Sequence, residues 1–239
     1  MIVKTFNRLI VTSRIPALWK NSERSISLYK LKKSMEEYFT VPQRKPPYNH
    51  ICQVGDPILR ARADPVDAQT IRIVDFQKLL DHLEKTMKYY GASGLAAPQI
   101  GLPWQIFVMQ ITEKHLKNFD TAIQKVRGME VVPLKFFINP SLKVKDFSLV
   151  ELPEVCGSVR GYNAVVPRAK EVEVTALDRY GESFTLTAKG WTARIIQHEF
   201  DHLQGIIYTD KMDATSLSCT CWEEVNKFSG KIAIRFRPK

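Results

Sequence analysis

The chain has 239 residues, 44% hydrophobic and 25% charged, which is the make-up of a globular protein able to bury a sizeable core. No apolar run approaches the roughly 20 residues that span a bilayer, which excludes a helical membrane span. Cys52, Cys156, Cys219 and Cys221 are too few and too irregular for a secreted disulfide framework and fit a reducing compartment.

The formal net charge of +10 is unevenly placed. Residues 1–33 hold eight Lys and Arg against Glu23 alone, whereas residues 48–239 hold 25 basic against 22 acidic residues. The excess belongs to the N-terminus, and no aromatic–basic motif of the nucleic-acid readers accompanies it, so no specific nucleic-acid partner is expected. On a helical wheel Ile2, Val3, Phe6, Leu9 and Ile10 oppose Lys4, Arg8 and Arg14. That acid-poor amphipathic pattern reads as a mitochondrial transit peptide, with a basic disordered tail as the plainer alternative. Residues 34–50 read as a linker ending in Pro42-Gln43-Arg44-Lys45-Pro46-Pro47, so residues 1–47 are assigned to leader and linker and 48–239 to the folded body.

In the body, apolar residues recur at 73, 76, 80, 83, 87 and 90, predicting an amphipathic helix that starts after Asp67 and stops at Gly91. Ile106–Ile111 and Val131–Ile138 read as strands. Glu171–Leu177 alternates, turns at Asp178-Arg179-Tyr180-Gly181 and continues into Glu182–Ala188 as a hairpin. Gly190–Leu203 reads as a helix, and antiparallel strands beside separate helices make the class α+β.

The chemistry concentrates in Gln197-His198-Glu199-Phe200-Asp201-His202-Leu203-Gln204-Gly205. His198 and His202, four apart, stand on one helical face and can grip one divalent ion, while Glu199 can reach a water beside it. A structural His pair is the bland alternative. A third protein ligand is needed if one position stays open, and no His follows His202. Upstream, Glu154-Val155-Cys156-Gly157-Ser158 lies in a predicted loop. Cys156 alone would read as a small buried hydrophobe; beside a two-His motif it is the best third ligand. In Gly94-Leu95-Ala96-Ala97-Pro98-Gln99-Ile100-Gly101, small residues let the backbone pass close to a neighbour, and Gln99 offers an amide donor. Read alone, that segment is a tight turn.

GLAAPQIG, ExCxS and QHEFDHLQG, in this order and spacing, resemble the three motifs of peptide deformylases. The resemblance runs from about residue 50 to 213 and includes Val166-Pro167-Arg168 and Asp210-Lys211-Met212-Asp213. Gly190-Trp191 is similar to the start of the mitochondrial branch's helix. The resemblance implies antiparallel sheets packed around a central HExxH helix. It implies Cys156, His198 and His202 as ligands of one divalent ion, Fe²⁺ or Zn²⁺, and Glu199 as general acid/base. Gln99 and the Gly157 N–H would be oxyanion donors, with Gly94 and Leu95 at the substrate. Trp191 and Ile195 either wall a formyl-Met pocket or pack in the core. The expected substrates are N-formyl-Met nascent peptides in the mitochondrial matrix, near the ribosome exit, without nucleotide or organic cofactor.

Two departures from the family pattern bear on activity. Val155 stands where Gly is usual, and Gly157 where Leu or Glu is common. If position 155 needs a positive φ, Val strains the loop, whereas on extended backbone Val fits at little cost; with a mobile Gly157 the expectation taken is impaired catalysis, relieved by Val155→Gly. The alternatives to a deformylase are a weakened descendant that binds formylated peptides or ribosomes, and an HExxH metallopeptidase. Cys219-Thr220-Cys221 suggests a second metal site only weakly.

Overall fold

The structure is a computed structural model that describes residues 45–238; the expected transit segment and most of the linker lie outside the described residues. Helix α1 (Val74–Tyr90) follows the apolar stripe, with Phe76, Leu80, Leu83 and Met87 buried. It starts later than expected. Asp67 caps a separate 3-10 turn by accepting the Gln69 N–H, and α1 begins behind Ile73. Gly91, at φ 63°, ends the helix in the left-handed conformation.

Six strands form one antiparallel sheet in the order β1 (Gly94–Ala96), β2 (Ile106–Ile111), β3 (Val132–Val155), β4 (Tyr162–Leu177) and β5 (Ser183–Lys189), while β6 (Ser218–Cys219) pairs with the start of β4. Short helices α2 (Glu113–Leu116) and α3 (Thr121–Arg127) link β2 to β3, and α4 (Gly190–Leu203) follows β5. Successive side chains of β2 point to opposite faces. Phe107, Met109 and Ile111 join Ala193, Ile196 and Leu203 of α4, whereas Ile106 and Val108 join Leu80, Leu83 and Met87 of α1. Being covered on both faces, β2 reads as an apolar run over Ile106–Met109 rather than an alternation.

The hairpin β4–β5 is as expected, paired from Glu171↔Lys189 to Leu177↔Ser183, with Asp178 Oδ1 accepting the Tyr180 and Glu182 N–H groups across the turn. β3 extends far beyond the expected Val131–Ile138. Asn139 adopts φ 50°, and its side-chain amide holds both the N–H and the C=O of Val66 at 2.7 Å. The register shifts there, and β3 then pairs with β4 from Ser141↔Thr175 to Val155↔Asn163. Against this long ladder the Gln197 side chain of α4 accepts the Ala169 N–H at 3.0 Å and donates to the Ala169 C=O at 2.9 Å, pinning the helix to β4.

Candidate metal centre

α4 lifts His198 and His202 onto one face, as their spacing requires, and the loop leaving β3 brings Cys156 against them. The ligand atoms of the three residues lie within 4.8 Å of one another, with Cys156 Sγ 3.3 Å from His202 Nε2. Burial alone would raise the Cys156 thiol; the His202 and His198 imidazoles outweigh it and hold it well below the usual thiol range. A thiolate facing two imidazoles is a donor set suited to a borderline-soft divalent ion, so the residues present fit a metal.

Glu154 orients the centre. Its carboxylate accepts both Arg168 Nε and Nη2 at 2.9 Å, Arg194 Nη1 at 2.7 Å and His198 Nδ1 at 2.9 Å. Engaging Nδ1 turns the other ring nitrogen of His198 toward Cys156 and His202. Burial would raise the Glu154 carboxyl, but the Arg168 and His198 hydrogen bonds outweigh it and hold it well below the usual carboxylate range. Arg168 also pairs with Asp201, which Lys211 reaches at 2.6 Å. Sequence reasoning left this buried network out. Its available signals were Arg168 at an inward position of the alternating β4 pattern and Arg194 one turn before His198. Arg168→Met is expected to cost about 3–5 kcal/mol of unfolding free energy, since Glu154 and Asp201 would stay buried without their shared partner; urea denaturation measures it. The depressed Glu154 value sets the sign with pH. Its contribution is present above the ordinary carboxylate range and is lost as pH falls through the lowered folded-state value.

Glu199 is 4% exposed, and its Oε2 has no hydrogen-bond partner among the described residues. Burial pushes its carboxyl up to about 7, offset only in part by the two histidines. Gly94 makes room for it: a Cβ there would sit 2.5 Å from Glu199 Oε1. Gln99 is locked by its own turn. The Ala96 N–H can only donate, so the 2.9 Å contact fixes Oε1 and sends Nε2 toward Ser158 Oγ at 3.1 Å and Cys156 Sγ at 3.6 Å.

The segment at 51–54 ties these loops together. Cys52 N–H donates to Gln99 C=O, Val54 N–H to Ser158 C=O, and Gln53 Nε2 to Gly157 C=O at 2.9 Å. Ile51 Cδ1 comes within 2.7 Å of where a Gly157 Cβ would stand, so the space beside the loop is filled from this side. Gly157 is thus anchored, contrary to the expected mobility.

The strain expected at Val155 is absent as well. Val155 is the last residue of β3, paired with Asn163 and 66% exposed, and the non-glycine residues with positive φ among those described are Asn139 and Ser229. A β-branched residue suits extended backbone. Val155→Gly is therefore expected to leave the rate within about twofold at equal metal occupancy, and to lower stability by roughly 0.5–1 kcal/mol; rate and melting curves check it.

An open cleft of about 850 Å³ leads from the centre to solvent, lined by Gly94, Leu95, Gln99, Cys156, Gly157, His198, Glu199 and Trp191 among others. Trp191 lies edge-on to Phe119 with Arg127 5.4 Å from its ring. Ile195 does not join it: it is 8% exposed within the core cluster of α4 and β2. At about 100° per residue, Trp191 stands about 20° from His198 around the helix and Ile195 about 60°, which carries Ile195 under the sheet.

Residues 48–217 match the family model for polypeptide deformylase. The human mitochondrial peptide deformylase is 43% identical over 182 residues, covering 76% of this chain and 75% of that one. Two crystal structures share the fold. A class I type b peptide deformylase from Acinetobacter baumannii with Met-Ala-Ser bound aligns with a TM-score of 0.60 at 26% identity, covering 68% of this chain and 96% of that one. The Synechococcus elongatus enzyme in complex with actinonin aligns with a TM-score of 0.59 at 29% identity, covering 80% and 91%. All three motif segments, with the donor set they assemble, fall inside the matched residues, and the chain belongs to the polypeptide deformylase family.

Proposed function

We propose that this protein hydrolyses the N-formyl group from formyl-Met peptides of mitochondrial translation, releasing formate, with one divalent ion held by Cys156, His198 and His202. The observation that carries the reading is the meeting, in one cleft, of that donor set with an unpartnered buried carboxyl and a locked amide donor. We read α4 as the central element around which the sheet is arranged. The bound ion, Fe²⁺ or Zn²⁺ by the softness of its donors, supplies Lewis acidity toward the formyl carbonyl and the attacking water.

The chain's own groups do the rest. Glu199, poised near neutrality, takes the water proton and returns it to the departing amine nitrogen. Gln99 Nε2 and the Gly157 N–H donate to the formyl oxygen as it gains charge, about 3 kcal/mol for each donor. Gly94 keeps the Glu199 carboxyl close to the edge of β1, and Leu95 and Trp191 line the space offered to the Met side chain. Glu154 holds the His198 ring against thermal reorientation. The products are formate and a peptide with a free amino-terminal Met.

Formate release from formyl-Met-Ala-Ser by anaerobically purified protein tests the reading, with turnover expected. Cleavage of an internal bond in an unformylated peptide, without formate, would instead make the chain a metallopeptidase.

We further assign residues 1–47 to mitochondrial import and 48–239 to the catalytic domain, with the matrix and the ribosome exit as the working site. The support is the basic amphipathic segment and the human relative that is named mitochondrial. Among the described residues no helix is long and apolar enough to cross a membrane. Residues 1–47 fused to a fluorescent reporter are expected to carry it into mitochondria; a diffuse cytosolic signal removes the assignment.

A further inference from the structure

Resting on the deformylase reading, the structure assigns a second role to the end of the chain. The family match stops at residue 217, but the chain continues through β6 and helix α5 (Trp222–Lys227). Gly230, at φ 79°, then turns the backbone, its N–H donating to Val225 C=O at 2.7 Å. Residues 231–238 run on without helix or strand.

This strap crosses the cleft. On one side Ile234 Cδ1 lies 2.8 Å from where a Cβ on Gly161 would stand, in the turn that follows Cys156. On the other, Tyr90 Oη donates to Phe236 C=O at 3.2 Å, Tyr89 Oη donates to Pro238 C=O at 2.8 Å, and the Arg237 guanidinium stands 5.3 Å from the Tyr89 ring centroid. Tyr89 and Tyr90 end α1, directly before the wall formed by Gly91 to Leu95. Ile232, Ala233, Ile234 and Arg235 line the cleft itself.

The hold is light. Two hydroxyl hydrogen bonds to backbone carbonyls and one cation–π contact carry it, while Ile234 and Phe236 remain 39% and 55% exposed. A segment that sets Ile232, Ala233, Ile234 and Phe236 among Lys231, Arg235 and Arg237 thus already occupies the outer cleft, the space that on the deformylase reading would take residues downstream of a formyl-Met.

We propose that residues 231–238 determine specificity by substrate length. A formyl tripeptide fits beneath the strap, while a longer chain must displace it and competes with it for the same surface.

The test compares the full chain, a chain ending at Gly230, and Tyr89→Phe in the full chain, which removes one anchor hydroxyl. The substrates are formyl-Met-Ala-Ser and a nine-residue formyl-Met peptide with apolar downstream residues. The ratio of kcat/KM for the long over the short substrate is expected to rise about tenfold on truncation and about twofold in Tyr89→Phe, through KM of the long substrate. A fluorescently labelled peptide of residues 231–239 is expected to bind the shortened chain and not the full one. An unchanged ratio in both variants, or a fall on truncation, overturns the proposal, because the strap would then be a wall that the substrate uses. If neither substrate is turned over by any form, the deformylase reading fails, and the labelled peptide decides the strap alone: failure to bind the shortened chain overturns it.

Discussion

Cys156→Ala is expected to release the metal and to abolish formate production. Cys156 is the thiol member of the donor set and arrives from a different element than the two histidines, so its loss leaves only two imidazoles on one helix. Two imidazoles four residues apart hold a divalent ion far less tightly than three donors converging from two directions. The thiol is also prepared by its surroundings, held well below its usual range by His202 and His198 despite its burial. Elemental analysis of the anaerobically purified variant provides the check. Full occupancy with one ion per chain would remove Cys156 from the ligand set, whatever the rate.

Glu199→Gln is expected to do the opposite on one axis and nearly the same on the other. The carboxyl lies outside the donor set, so metal content should match the unmodified protein. Turnover should fall by about 10²–10⁴-fold, the usual contribution of a positioned general acid/base. The isosteric amide keeps the packing against Gly94, which makes a folding explanation testable by an unchanged melting temperature. The pH profile adds a signature that mere structural damage lacks. With its carboxyl pushed up to about 7 by burial, Glu199 is protonated and unable to accept a proton on the acid side of that value. The unmodified rate therefore falls as pH drops below about 7, and the residual rate of the glutamine variant has no such limb. Loss of metal in proportion to loss of rate would overturn the acid/base role.

The sequence made legible those features that depend on short-range pattern. The α1 stripe from Phe76 to Met87, the Asp178–Gly181 turn and the α4 face each follow from periodicity or local turn chemistry and appear where expected, the late start of α1 apart. The donor set was legible because each half of it is a tight motif. What stayed hidden depends on contacts between distant segments. Asn139-Pro140 reads as the end of a strand, yet Asn139 takes a left-handed conformation fixed by Val66, 73 residues away, and β3 continues. Glu154, Arg168 and Asp201 fall in motif segments but, like Arg194, take no role from the sequence, because only β3, β4 and α4 together make them one buried network. Val155 was misjudged for a related reason: motif comparison suggests a glycine conformation, while pairing with Asn163 imposes an extended one. The strap carries no periodicity, and its partners lie more than 70 residues upstream.

One feature of the scaffold sets how the centre behaves over time. Glu154, Cys156 and Arg168 all ride on the continuous hairpin β3–β4, whereas His198, Glu199 and Asp201 ride on α4. Each piece is built from contacts close in sequence, but the three donors converge only while helix and hairpin are docked. An ion that binds the docked arrangement alone adds its binding free energy to that arrangement and to no other. It acts as a clasp on one joint. Hydrogen exchange of the α4 amides should therefore slow as free metal rises, while the turn end of the β4–β5 hairpin, where Leu177 pairs with Ser183, keeps the protection that its own ladder provides.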